Sequence, residues 1–85
     1  MAKLRVLGLF VPDRFQNIPR VQKVLTEYGC NIKTRIGLHE ATENVCAPSG
    51  LILLELFGDD SVCAELKEKL ERVEGVQVRE MVFNA

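Results

Sequence analysis

Apolar residues run almost without interruption through two segments of the chain. Leu4 to Val11 is rich in β-formers and apolar at nearly every position. Leu51 to Phe57 shows the same pattern, interrupted only by Glu55. A strand covered on both sides reads as a continuous apolar run, whereas a half-exposed strand alternates. We therefore predict that both segments are central strands of a sheet.

Two further segments space their apolar residues three and four apart, as an amphipathic helix requires. Asn17 suits the N-cap of the first helix, Pro19 is tolerated in its first turn, and Gly29 and Gly75 suit the positions after the two helix ends. The spaced apolar residues are Ile18, Val21, Val24, Leu25 and Tyr28 in the first helix and Val62, Leu66, Leu70 and Val73 in the second.

Two segments alternate apolar and polar residues with a period of two, which predicts half-exposed strands. They are residues 31–40 and 76–82. Residues 41–50, between the second and third strands along the chain, lack periodicity, which predicts a loop. The order is therefore β-α-β-β-α-β. It predicts an α+β fold, a ferredoxin-like sandwich in which a four-stranded antiparallel sheet carries two helices on one face. The length of 85 residues favours a single domain over residues 1–85.

Because both helices cover one face, the opposite face of the sheet exposes apolar side chains. A contiguous apolar patch of this kind usually meets a partner, and a second copy of the chain is the simplest one. We predict a homo-oligomer, a dimer or a tetramer, that associates through sheet faces or through paired edges. The predicted interface residues are Leu51, Leu53, Glu55 and Phe57.

Composition and charge narrow the classes of partner. Eleven basic and twelve acidic residues are scattered, so no basic surface predicts direct binding of nucleic acid. The apolar stretches fall far short of the roughly 20 residues that cross a bilayer, and no signal-peptide core precedes them, so we expect a cytoplasmic protein without membrane contact. Three cysteines cannot all pair within one chain, which predicts free thiols.

The first loop combines groups that recognise a small ligand. It offers a carboxylate, a guanidinium, an amide and backbone N–H groups at a helix start, which suit an anionic or amino-acid-like molecule. The residues predicted to bind it are Asp13, Arg14, Phe15, Asn17 and Ile18. The alternative interpretation is a turn followed by a helix cap.

Residues 13–21 through Leu25, together with residues 28–32, resemble the first loop, first helix and second-strand entry of ACT domains. The resemblance spans the whole chain in element order. The glycine that ACT domains often carry in the first loop is replaced by Phe15, Gln16 and Asn17. The resemblance implies a regulatory module that pairs with a second copy and binds a small ligand near the interface.

Residues 35–37, 50–54 and 70–78 are more closely similar to short ACT-like regulators of the iron-only hydrogenase system. Those are single domains that resemble the C-terminal domain of nickel-responsive repressors. This resemblance implies a regulatory protein that is not an enzyme. We also expect that the chain needs no cofactor.

Two alternatives to a ligand-binding regulator remain open at this point. His39, Glu40, Glu43 and Cys46 fall in one segment and could supply part of a nickel or iron site completed across an oligomer interface, although one chain has too few ligands. The plainer interpretations are an exposed edge-strand histidine and a loop thiol. A small oligomeric enzyme would need a converging acid–base set that the sequence does not show.

Some polar and thiol positions have structural interpretations. Glu55 could be a ligand carboxylate, but pairing with Lys33 or Arg35 on the neighbouring strand is favoured. Cys30 and Cys63 are expected to be small core or boundary residues.

Overall fold

Strands and helices follow the chain in the order β-α-β-β-α-β, as predicted. The computed structural model describes residues 3–12, 14–38 and 50–84. Within them the elements are β1 (Lys3–Val11), α1 (Arg14–Glu27), a 3-10 turn (Gly29–Asn31), β2 (Ile32–Leu38), β3 (Gly50–Leu56), α2 (Asp60–Glu71) and β4 (Gln77–Asn84).

The four strands form one antiparallel sheet in the order β2-β3-β1-β4. β1 and β3 are therefore the central strands, which confirms the interpretation of the two continuous apolar runs. The predicted ferredoxin-like sandwich, with two helices and a four-stranded antiparallel sheet, is likewise confirmed.

The core lies between the helices and one face of the sheet. Alternate residues of β1 and β3 point into it, because successive side chains of a strand point to opposite faces. Fully burying one of these leucines contributes roughly 1.5–3 kcal/mol. The buried residues are Leu7, Leu9 and Val11 of β1, Ile52, Leu54 and Leu56 of β3, Val78 of β4, Val21 and Leu25 of α1, Cys63, Leu66 and Leu70 of α2, and the adjoining Tyr28 and Val76.

The helix ends differ from the sequence expectation. α1 begins at Arg14, three residues before the predicted cap Asn17, so Pro19 lies beyond the first turn. Gly29 has no positive φ and instead begins the 3-10 turn. α2 ends at Glu71, and Gly75, with φ 82°, serves the turn into β4.

An arginine on the helix-facing side of β1 connects three elements. The Arg5 Nη2 atom donates to Asp60 Oδ1 at 2.5 Å, and Nη1 donates to Glu80 Oε2 at 3.4 Å. Asp60 is the first residue of α2 and Glu80 lies on β4. The Arg5 side chain is only 13% exposed, so these contacts fix the first turn of α2 against the sheet.

The hydrogen bond from Arg5 lowers the pKa of Asp60 below its usual range, and the positive charge of Arg5 adds to the effect. A carboxyl group with a lowered pKa in the folded state stabilises the fold above its unfolded pKa of about 3.9, and this stabilisation is lost as the pH falls through the folded pKa. We expect Asp60→Asn to lower the urea midpoint at pH 7. The difference from the wild type should shrink as the pH falls below the unfolded pKa of about 3.9.

Urea unfolding followed by circular dichroism at several pH values measures this difference. Asp59→Asn is the matched control, because Asp59 precedes the same helix and makes no side-chain capping bond. Equal midpoints for the two variants at pH 7 would show that the contact between Arg5 and Asp60 does not stabilise the fold.

Candidate functional site

An open depression of about 350 Å³ lies beside the beginning of α1. Its lining residues are polar or charged: Gln16, Asn17, Arg20 and Glu74. The volume is at the lower end of the range for small-molecule sites, about 300–1,000 Å³. A metabolite-sized polar molecule would therefore fit it better than a large apolar ligand.

The order of the strands brings the two walls of the depression together. Phe10, near the end of β1, pairs with Gln77 at the start of β4, so the segments next to these residues are neighbours. Gly75 packs so closely that a Cβ atom there would lie 3.3 Å from Cγ of Pro12. Its φ of 82° also disfavours any residue with a side chain. Glu74 is thus held beside α1 by a turn that requires glycine.

Asn17 anchors the beginning of α1 to the end of β1. Its Nδ2 atom donates a hydrogen bond of 2.6 Å to the carbonyl oxygen of Pro12. With 7% of its surface exposed, Asn17 is the one buried polar residue in the described part of the chain. Asn17 is the fourth residue of α1 and therefore not its N-cap, and its side chain bonds back to the preceding loop.

Opposite charges line the depression from two different elements. Arg20 belongs to α1, where the i, i+4 spacing puts it on the same side as Gln16, and Glu74 belongs to the turn before β4. Both residues are exposed. In residues 3–12, 14–38 and 50–84, neither side chain forms an ion pair.

The predicted ligand residues take different positions. Asn17 lines the depression, whereas Ile18 is half-buried and packs against the core. Arg14 and Phe15 open α1, but their side chains, like the whole of Asp13, lie outside the described residues. A ligand role for these five residues stays a prediction.

Gln16, Arg20 and Glu74 were not among the predicted ligand residues. The i, i+4 spacing of Gln16 and Arg20 could have placed both on one side of the helix. Glu74 is 54 positions from Arg20 in sequence, so only the strand order could have located it.

The predicted interface residues lie on the sheet face opposite the helices. Leu51, Leu53 and Glu55 alternate with the buried residues of β3, and Phe57 continues the alternation after the strand. Leu51 is 40% and Phe57 51% exposed, while Leu53 and Glu55 are half-buried. Their role in an interface stays a prediction.

Glu55 has the cross-strand pairing that the sequence favoured. Its Oε2 atom lies 3.9 Å from Lys33 Nζ, and its Oε1 atom accepts a 3.2 Å hydrogen bond from Thr34. Arg35 instead donates to Gln22 of α1. At 3.9 Å, the contact between Lys33 and Glu55 leaves the carboxylate able to take a closer partner.

The remaining predictions concern thiols and metal ligands. Cys63 is buried, as expected, and burial raises the pKa of its thiol. Cys30 is exposed, contrary to expectation, because it lies in the 3-10 turn outside the core. His39 and Cys46 lie outside the described residues. Among residues 3–12, 14–38 and 50–84, no three His, Cys, Asp or Glu side chains cluster as metal ligands would.

Across residues 3–12, 14–38 and 50–84, no helix is long and apolar enough to span a membrane.

No protein-family profile and no curated protein matches the chain. Solved structures do match it. An uncharacterized protein from Thermotoga maritima aligns over 98% of this chain and 100% of its own, with a TM-score of 0.81 and 24% identity. A dimeric ferredoxin-like protein from an uncultured marine organism aligns over 95% and 92%, with a TM-score of 0.57 and 10% identity.

A third structure is CPII from Thiomonas intermedia K12, bound to ADP, AMP and acetate. It aligns over 98% of this chain and 90% of its own, with a TM-score of 0.52 and 13% identity. At these identities the similarities show a common ferredoxin-like fold.

The hydrogen bond of Asn17 yields a stability prediction. Asn17→Ala removes a buried donor and leaves the Pro12 carbonyl without this partner, so the free energy of unfolding should fall by about 1–2 kcal/mol. Urea unfolding measures the change. Gln16→Ala is the control, because Gln16 is the exposed neighbour in the same depression. Equal stability of the two variants would contradict an anchoring role for Asn17.

Proposed function

We propose that this chain is a homo-oligomeric, non-enzymatic regulatory domain that binds a small amino-acid-like zwitterion in the depression at the beginning of α1. The observation that carries the proposal is the pair of opposite charges, Arg20 and Glu74, lining one polar depression from two elements. A free amino acid presents the complementary pair of charges on two groups attached to the same carbon atom.

Each lining group has a distinct recognition role in this proposal. The guanidinium of Arg20 can donate two parallel hydrogen bonds to a carboxylate. The carboxylate of Glu74 accepts from an ammonium group, and the amide of Gln16 can donate or accept. These are groups that hold and orient a ligand, which supports a binding role rather than a catalytic one.

Regulation requires that the ligand prefer one of two states of the protein. The depression lies beside the end of β1, and the same strand crosses the apolar face where we propose that a second copy binds. Two proteins of this fold support the proposal by analogy, since one is dimeric and CPII binds ADP, AMP and acetate. Ligand and oligomer would then be coupled through β1 and α1.

The finer proposal is a regulator of the iron-only hydrogenase system, which rests on the similarity of residues 35–37, 50–54 and 70–78 to such regulators. In this role the chain would act through a partner protein, because the scattered charge gives no surface for direct binding of nucleic acid.

Thermal denaturation with the twenty free amino acids, each at millimolar concentration, tests the ligand class. We expect at least one amino acid to raise Tm, because a ligand that binds only the folded state stabilises it. Acetate and methylammonium, which each carry one of the two charges, should give no comparable shift.

Variants locate the binding. Arg20→Ala and Glu74→Gln should each weaken affinity at least about tenfold in calorimetry, the size of one lost charge-assisted hydrogen bond. Lys23→Ala, an exposed cation elsewhere on α1, should bind like the wild type. The proposal fails if no amino acid binds, or if binding survives both substitutions unchanged.

A further inference from the structure

On the sheet face opposite the helices, the four strands expose five large apolar side chains, in addition to Phe57 after β3. They are Phe10, Ile36, Leu51, Met81 and Phe83, each 40–54% exposed. The register places all five on this open face, because each is paired with open-face residues of a neighbouring strand. The alternate residues of the two central strands point into the core. An exposed apolar patch across all four strands marks an interaction surface.

The centre of the open face is flat. Gly8 lies there, paired with Leu53 on one side and Arg79 on the other. A Cβ atom at Gly8 would lie 3.7 Å from Leu53 Cδ2, so the fold itself has room for a side chain. Glycine instead leaves a shallow centre that a second flat surface can approach closely.

Two opposite charges flank this centre. Arg79 lies on β4 beside Gly8, and Glu55 lies on β3 beside Val6. The midpoint between Gly8 and Val6 is therefore also the midpoint between Arg79 and Glu55. Within the described residues Arg79 has no carboxylate partner, donating instead to the Val78 carbonyl at 3.0 Å and to Gln77 at 3.4 Å.

We infer that two copies of the chain pack through their open faces about a two-fold axis over this midpoint, so that each Arg79 pairs with the partner's Glu55. The axis runs parallel to the two sheets and between them, and it is perpendicular to the line from Arg79 to Glu55. One rotation then forms two equivalent ion pairs, as an isologous interface requires. The inference rests on the oligomeric part of the proposed function and specifies its surface and register.

Pairing through the β4 edge is the competing arrangement. It would cover part of Met81 and Phe83, but it would leave Phe10, Ile36 and Leu51 in water, because these lie on the other three strands. The open face spans roughly 400 Å² in projection, from strands about 4.8 Å apart and a rise of about 3.3 Å per residue. A standard interface buries roughly 800 Å² per partner, so the projected area of the open face is about half of that.

Analytical ultracentrifugation of charge-exchange variants tests the register. The wild type should dimerise, and Arg79→Glu or Glu55→Arg alone should raise the dissociation constant at least about tenfold, because like charges then oppose each other across the interface. The double variant R79E/E55R should recover dimerisation, since it restores two opposite-charge pairs. Arg72→Glu, an exposed arginine of the α2 end, is the control and should dimerise normally.

A further variant separates the face from the edge. Ile36→Lys, on the edge strand furthest from β4, should give a monomer if the faces pack together and a dimer if the β4 edges pair. Circular dichroism of each variant verifies folding.

The outcomes distinguish this inference from the proposed function. Single charge variants that dimerise like the wild type, or a folded double variant without recovery, overturn the register but leave oligomerisation standing. A monomeric wild type at millimolar concentration overturns both.

Discussion

The fold places two helices against only one face of a four-stranded sheet. Because strand side chains alternate between faces, every residue of β1 and β3 that packs against the helices has a neighbour on the uncovered side. In this chain those neighbours are largely apolar, among them Phe10, Leu51 and Leu53. The helix-facing half provides the core of one domain, and the other half provides an exposed apolar surface.

The same sheet order brings together the walls of the polar depression. Antiparallel pairing of β1 with β4 brings the loop after β1 beside the turn before β4, and Gly75 allows Pro12 and that turn to pack closely. Asn17 then attaches α1 to this junction. β1 crosses the open face at Gly8 and leads into Pro12, whose carbonyl oxygen accepts the hydrogen bond from Asn17 of the depression, so one strand connects the two surfaces. A ligand that shifts this strand or α1 would shift the geometry of the interface, which is the coupling that a regulatory domain needs.

The arrangement of the sheet could be predicted from sequence because burial on both faces leaves a continuous apolar run, and only β1 and β3 show one. The beginning of α1 could not be predicted in this way. Asn17 has a side chain that suits an N-cap, but in the structure it donates to the Pro12 carbonyl, a contact that depends on how the loop packs. Arg20 and Glu74 were missed for a related reason. A charge on a helix and a charge in a turn have no local signal that they share a depression, and only the tertiary arrangement brings them together.

Native mass spectrometry of the wild-type chain, purified without chelators or affinity-tag metal, tests the central claim most directly, because it reports oligomer mass and retained ligand in one spectrum. A protein whose sheet face is covered by a second copy and whose depression holds a zwitterion should appear as an even-numbered oligomer that carries a small organic adduct. A bare monomer at all concentrations would contradict the account.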